Sequence, residues 1–337
     1  MGAYLPDASN KANKLAMIVT PQHRHRLFGL SIASDIPLPE AMSCADRGGA
    51  DVTILVQKLD LPPQEIGIHA LDGRVVLTVP GVARYLIREG REIIVDPVPN
   101  IPEKNVRLYL LGSAMGALLH QRGLLPLHAN AIEIDGRGYA FVGESGAGKS
   151  TLAARFHDRG YAVLSDDVCV VRPLRTGLAV VEPALRKMRL CRDALIASGR
   201  NPGHFEPSFS GDPSFDKFDV PLPPAQPVPM KAVVLLEFGP SHSLHRMEGT
   251  EAVEILFAHT YRGRIIDRAG SAKQHWAAVI ELLYAIDVFR WTRPKNGAQL
   301  DHGLVNLIAS LRTHSVDEET SPLFTKSASR VRNSSSH

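Results

Sequence analysis

The sequence predicts an α/β fold: a core built around a glycine-rich loop, preceded by a small β-rich N-terminal domain. Three observations carry that expectation. After residue 125, strand-like apolar runs alternate with helical stretches, the pattern of an α/β core. The run Gly143-Glu-Ser-Gly-Ala-Gly148-Lys149-Ser150 fits G-x-x-x-x-G-K-[ST] and stands between a strand-like segment and a helical one. Before residue 103 the chain is a series of short β-rich runs punctuated by Gly, Pro and Asp-Gly turns.

Taken in order, residues 1–16 are polar and expected to be flexible, and residues 17–102 form the β-rich domain. Its strands are read in RLFGLSIAS (Arg26–Ser34), DVTILV (Asp51–Val56), RVVLTV (Arg74–Val79), YLIRE (Tyr85–Glu89) and EIIVDP (Glu92–Pro97), with a turn at LDGR (Leu71–Arg74). No cluster of chemistry-bearing residues falls there. Pro97–Asn105 breaks the pattern, and a helix is expected over Glu103–Gln121, ending near Gly123. The core domain runs over 103–315. It holds strands at GYAFV (Gly138–Val142), YAVLS (Tyr161–Ser165), VCVVRP (Val168–Pro173), KAVVLLEF (Lys231–Phe238) and VFRWTRP (Val288–Pro294). Helices are expected at Ser150–Arg159, Ala252–Tyr261, Ala272–Ile286 and Asp301–His314. The polar tail, 316–337, is expected to be disordered.

The chain has 337 residues, with 44% hydrophobic and 22% charged residues, as an ordinary globular protein does. A net charge of +3 gives no general argument for nucleic acid or membrane as a partner. Cys44, Cys169 and Cys191 are odd in number and lack metal-site spacing, which fits reduced thiols. Met1–Met17 has no long apolar segment behind a basic start, so no signal peptide is expected. The apolar stretch Leu108–Leu119 is too short to span a bilayer. A cytoplasmic protein is the expectation.

The glycine-rich run is a P-loop (Walker A) signature. Its glycines let backbone N–H groups fold around phosphate oxygens, and the helix N-terminus adds a favourable field for negative charge. The nucleotide-binding residues are therefore Gly143, Glu144, Ser145, Gly146, Ala147, Gly148, Lys149, Ser150 and Thr151. Lys149 is expected to reach the β- and γ-phosphates, and the Ser150 hydroxyl to ligate Mg²⁺.

Two flanking features extend the site. LHANAIEI, DGRG and YAFVG read as strand, turn and strand, a β-hairpin that begins near His128. A two-residue loop at Asp135–Gly136 sets His128 opposite Gly143, and a four-residue DGRG loop sets it opposite Ser145. Either register brings the imidazole beside the loop. Beyond the helix, Gly160 is a stop signal, and the next strand leads into Asp166-Asp167. In a right-handed βαβ unit that strand runs parallel to the first, so its carboxyl end emerges at the edge where α/β proteins bind ligands. One aspartate there can hold Mg²⁺. Two adjacent ones point different ways and take different tasks, with Asp166 deprotonating an acceptor hydroxyl and Asp167 serving the metal. The reading stands on one spatial claim: His128 and both carboxylates face a single phosphate pocket.

These residues resemble the HPr kinase/phosphorylase family. His128, Gly143–Ser150, Arg159-Gly160-Tyr161 and Ser165-Asp166-Asp167 match that family's histidine, G-x-S-G-x-G-K-S, R-G-(Y/H) and (A/S)-D-D in order and spacing. The close match spans about forty residues of the chain. It implies a P-loop core of the HPr-kinase/PEP-carboxykinase type using ATP and Mg²⁺. His128 would lie at the active site, Asp166 would be the catalytic base, and Asp167 and Ser150 would serve the metal. Further stretches, Gly29–Glu40, Gly123–Ile132, Pro227–Glu237 and Leu300–Leu311, resemble bacterial HPr-kinase-like proteins, some associated with lasso peptide genes. That likeness implies a serine of a peptide or protein as acceptor, a lasso precursor peptide among the candidates, and assembly into homo-oligomers. Two departures stand out: Thr151 occupies a family glutamate position, and Glu182–Leu195 lacks a glutamate at its matching place. They point to an acceptor other than HPr. A small-molecule kinase and a non-catalytic nucleotide-gated binding module remain as alternatives.

Weaker candidates are the arginines of Arg186–Arg192 and Tyr261–Arg268, with Lys217, which could clamp phosphate or an acidic acceptor. The histidines of Pro21–Arg26 and Ser241–His245 lack carboxylate or cysteine neighbours in sequence and read as surface residues. Pro207–Phe218, rich in Gly, Pro and Ser, is a lid, part of an acceptor groove or a plain linker.

Overall fold

The computed structural model describes residues 21–319, apart from 46–47, 63–64, 72, 175–176, 213, 269–270 and 296–299. The expected flexible segment 1–16 lies outside the described residues. Eight strands build the N-terminal sheet: β1 (His23–Leu27), β2 (Leu30–Ser34), β3 (Met42–Ser43), β4 (Val52–Val56), β5 (Gly67–Leu71), β6 (Arg74–Val79), β7 (Ala83–Arg88) and β8 (Glu92–Pro97). Their order is β3-β1-β2-β4-β8-β7-β6-β5. Pairing is antiparallel except at β2–β4 and β4–β8. Both faces of this sheet are covered, which is why its strands read as continuous apolar runs. Val75 and Leu77 belong to the large core, whereas Val76, Leu86 and Ile94 pack with Leu59 on the other side.

The expected helix forms as α1 (Glu103–Tyr109), a π-helical turn (Leu110–Ala114) and α2 (Met115–Gln121). It shares the large core with the N-terminal sheet, through Val106, Leu110, Leu111 and Leu118. Gly112 and Gly116 open a notch in this helix for Tyr261, since a Cβ on Gly116 would lie 2.8 Å from that ring.

A second sheet holds nine strands. They are β9 (Leu125–Leu127), β10 (Asn130–Ile134), β11 (Arg137–Val142), β12 (Val163–Ser165), β13 (Cys169–Pro173), β14 (Ala179–Glu182), β18 (Val228–Phe238), β19 (Ser243–Met247) and β20 (Asp287–Arg293). β18 is its spine. The first residues of β18 pair with β14, and the rest run parallel to β11 on one side and β20 on the other. The β10–β11 hairpin closes through Ile134↔Arg137, so its loop is Asp135–Gly136, both with positive φ as a two-residue hairpin turn demands. The two-residue register is thus the one adopted, and the DGRG alternative is not.

Helix α3 (Lys149–Asp158) connects β11 to β12. β12 runs in the same direction as β11 but bonds to β10, which lies between them. The third sheet, of β15 (Lys187–Cys191), β16 (Glu206–Pro207) and β17 (Lys217–Pro221), packs with α4 (Arg192–Ala197) against the α3 side. Helices α5 (Gly249–Ala258), α6 (Ile265–Arg268) and α7 (Ala272–Leu283) follow β19 and precede β20. The last helix, α8 (Leu300–Glu319), corrects one expectation: it continues into the stretch read as a disordered tail. Residues 320–337 lie outside the described residues. Among the described residues, no helix is long and apolar enough to cross a membrane.

Candidate active site

The glycine-rich loop leaves β11 at its carboxyl end and enters α3 at Lys149. Gly143 has φ 153°, and a Cβ there would stand 2.9 Å from the Leu236 carbonyl oxygen of β18. Gly148 has φ 86° and would carry a Cβ 2.6 Å from Nη2 of Arg293. Only glycine takes these backbone angles at so close an approach. Glu144, Ser145 and Gly146 are exposed and Ala147 is buried, while Ser150 and Thr151 lie half-buried in the first turn of α3. The free N–H groups of that turn form a site an anion can occupy. Lys149 is buried, and its Nζ donates to the carbonyls of Gly143 (2.6 Å) and Glu144 (3.2 Å). Burial works against its charge, and Asp167, Glu144 and Asp166 support it.

His128 sits where the chain leaves β9 for β10, with its N–H donated to the His259 carbonyl (2.7 Å). Its Nδ1 lies 3.1 Å from the Asp167 carbonyl oxygen and 3.2 Å from Asp167 Oδ1. Asp167 has φ 71°, and the Val168 N–H closes on the Asp166 carbonyl (2.9 Å), forming a γ-turn centred on Asp167. Such a conformation is strained for a residue with a side chain, and strain of this kind gathers at functional positions. The turn gives the two carboxylates separate surroundings. Asp166 accepts from Asn130 Nδ2 (2.7 Å) and the Arg189 N–H (2.7 Å), one on each oxygen. Asp167 accepts from the Arg189 guanidinium through its other oxygen.

The electrostatics follow. Burial pushes the Asp166 carboxyl above its ordinary value; the Arg189 N–H opposes this and the Asp167 charge adds to it. Burial acts in the same direction on Asp167, but the bond with His128 and the charge of Arg189 outweigh it. Its carboxyl is held well below the usual aspartate range. Two adjacent carboxyls are therefore driven apart, one toward holding a proton and one toward staying ionised.

His128, Lys149, Asp166 and Asp167 are brought together. Asp167 and Asp166 both act on the Lys149 charge, and His259 feels Glu144, Lys149 and His128. Ser150 lies in the first turn of α3. Among the described residues, no group of three or more His, Cys, Asp or Glu side chains is placed to hold a metal. Of the two residues expected at a metal, Asp167 has its oxygens engaged by His128 and Arg189, and Ser150 lies in the first turn of α3.

A narrow crevice of about 20 Å³, room for little more than one water, reaches the two carboxylates from the side of the N-terminal sheet. Phe28, Leu111 and Leu185 give it apolar walls, and Arg107, Lys187 and Arg189 give it cations. Of the weaker candidates, Arg189 stands inside the site, and Lys217 acts electrostatically on Asp167 and Lys149. Tyr261, 6.0 Å from His128 between ring centroids, is also drawn in. Ser210 is tied to Asn105 by two bonds of 2.8 Å, so the described part of Pro207–Phe218 is anchored to α1. Two of the histidines expected at the surface are packed instead: His25 is buried and takes the Leu38 N–H (3.2 Å), and the half-buried His242 stacks on Trp291. Sequence reasoning missed Asn130, His259 and Arg293. Asn130 alone left a signal, a polar residue two places after His128 on an apolar strand; the others reach the site through the tertiary fold.

No family model matches the chain, and no curated protein matches it. Among solved structures, the Hpr(Ser) kinase/phosphatase from Coxiella burnetii is similar to it over 58% of this chain and 98% of that one. The sequence identity is 15% and the TM-score 0.30. So slight a likeness says nothing of activity.

Proposed function

We propose that this protein is an ATP-dependent, Mg²⁺-requiring kinase that transfers the γ-phosphoryl group to a serine hydroxyl of a peptide or protein, with a lasso precursor peptide as one candidate. The observation that carries the reading is the separate anchoring of the two adjacent carboxylates near Lys149 of the glycine-rich loop, Asp166 by Asn130 and the Arg189 N–H, Asp167 by His128 and the Arg189 guanidinium. A carboxyl with a raised pKa is the better proton acceptor of the two, and one with a lowered pKa suits a cation.

In the reaction, the loop N–H groups of residues 143–151 and Lys149 hold the triphosphate. Lys149 exchanges its two carbonyl partners for phosphate oxygens. Asp166 takes the proton of the acceptor hydroxyl as its oxygen bonds to the γ-phosphorus. The bond from that phosphorus to the β,γ-bridging oxygen breaks, and ADP leaves. Ser150 and Asp167 would hold Mg²⁺, which when bound neutralises charge on the phosphates. Asp167 is already engaged by His128 and Arg189, so its contact would run through water or follow a swing of the guanidinium. His128 keeps Asp167 oriented. The acceptor approaches Asp166 from the side of the crevice, which would have to widen to admit it.

The test supplies Mg²⁺ and γ-labelled ATP together with a serine-centred peptide library and, separately, a small-molecule extract. Label on peptide serine is the expected result. Label on a metabolite would make the protein a small-molecule kinase, and bound ATP with no transfer would leave a binding module.

A further inference from the structure

Asp166 and Asp167 follow β12 on one side of the glycine-rich loop; β18 and β20 end on the other side. There the last residue of β18, Phe238, exposes 42% of its surface. It is coupled to the loop through a single guanidinium. Arg293, at the end of β20 and only 6% exposed, donates from Nη2 to the Ala147 carbonyl (2.6 Å). The same group lies 4.8 Å from the Phe238 ring centroid, and Lys295 Nζ lies 5.8 Å from it. The Gly239 N–H bonds to the Arg293 carbonyl (2.9 Å), which fixes the two strand ends together. Nε of Arg293 is buried without a partner among the described residues. One buried cation thus joins an exposed aromatic ring to the backbone of the glycine-rich loop.

We infer that Phe238, backed by Arg293 and flanked by Lys295, is the stacking platform for the nucleobase of the nucleotide whose phosphates the loop holds. The inference rests on the nucleotide-binding half of the proposed function. A nucleotide pinned by its phosphates at α3 must lay its base to one side. The carboxylate side is taken by the acceptor machinery; the β18–β20 side offers a flat apolar ring and two cations, which suit a base face and the phosphate next to it. Gly148 matters to both ends of this arrangement, because a side chain there would collide with the guanidinium that joins them.

The experiment compares calorimetric affinities of the full-length protein for Mg·ATP and for inorganic tripolyphosphate with Mg²⁺. Phe238→Ala is expected to weaken Mg·ATP by about tenfold, the order of one lost base–aromatic stack, and to leave tripolyphosphate within about twofold. Phe238→Trp is expected to restore ATP binding. Unchanged ATP affinity in Phe238→Ala, or equal weakening of both ligands, would overturn the platform. So would a wild-type protein that binds tripolyphosphate as tightly as ATP. Binding of neither ligand by the wild type would instead remove the nucleotide reading on which the platform stands.

Discussion

Asp166→Asn separates the proposed base from the fold that holds it. Each Asp166 oxygen accepts one hydrogen bond at 2.7 Å, from Asn130 Nδ2 and from the Arg189 N–H. An amide has a single acceptor oxygen, so its NH₂ must face one of those donors, and a lost bond to a largely buried group costs about 1–3 kcal/mol. Against this, burial already disfavours the Asp166 charge, and a neutral amide removes that penalty. The two effects oppose, so the expected net stability change is within about 1 kcal/mol, a melting shift of roughly 2–4 °C. The catalytic loss is much larger. General-base help is worth about 10²–10⁴ in rate, or roughly 3–5 kcal/mol of barrier. Single-turnover transfer of labelled phosphate to the peptide pool should therefore fall by at least about a hundredfold. Calorimetric Mg·ATP affinity should stay within about threefold, as the base touches the acceptor and not the nucleotide. A variant that keeps more than about a tenth of wild-type turnover, or loses turnover and ATP affinity together, refutes the assignment.

Arg189→Met should destabilise the protein by about 1–3 kcal/mol, less than a fully buried pair because both side chains keep some exposure. Asp167 has a depressed pKa, so the stability it contributes is present above the unfolded value near 4 and lost as pH falls below it. Urea titrations at pH 7 and pH 3 should show this acid loss shrinking in the variant. A second pH dependence comes from His275, whose buried ring has its pKa lowered to about 4 by burial and by His120. The unfolded chain binds the proton first, so stability should decline as pH drops from about 6.5 to 4, by at most about 3 kcal/mol. His275→Leu should flatten that decline, and an unchanged slope in urea titrations at pH 6.5 and 4.5 would contradict it.

Local chemistry was legible in the sequence where a turn or a strand fixed it. Asp135-Gly136 set the register of the β10–β11 hairpin, and Gly160 ended α3 before the strand that is followed by Asp166 and Asp167. The parallel direction of that strand was also legible; its hydrogen-bonded neighbour, β10, was not, because sequence order does not tell which strand fills a gap. Arg189 reaches Asp167 from a separate three-stranded sheet, and Arg293 reaches Ala147 across 146 positions. No short-range pattern encodes contacts of that kind. The γ-turn at Asp167 was likewise invisible, since an aspartate that ends a strand and one that bends the chain are spelled alike. The last turns of α8 were misread because polar residues there look like a tail, yet helix formation needs only propensity and a preceding turn to continue.

The N-terminal domain showed no chemistry-bearing residues, yet the turn between β2 and β3 reaches one edge of the candidate site through Glu40. The Glu40 carboxylate accepts from Arg107 Nε at 3.0 Å on each oxygen and lies 3.5 Å from Lys187 Nζ, with its side chain only 10% exposed. Its carbonyl takes the Arg186 N–H (2.7 Å). Arg107 and Lys187 line the crevice, and Lys187 opens β15, the strand that carries Arg189 to Asp167. Glu40→Gln would leave both cations short of charge, although Lys187 keeps Asp219 at 2.7 Å and Arg107 keeps Glu103 at 3.5 Å. Because partners remain, the expected loss is about 2–3 kcal/mol, below that of a fully orphaned buried charge. If the sheet positions the site, transfer to peptide should drop about tenfold or more in kcat/KM at a temperature where the variant is folded, with Mg·ATP affinity unchanged. A variant that melts earlier but transfers phosphate at the wild-type rate would show that Glu40 joins the sheet to the core and does nothing for the chemistry.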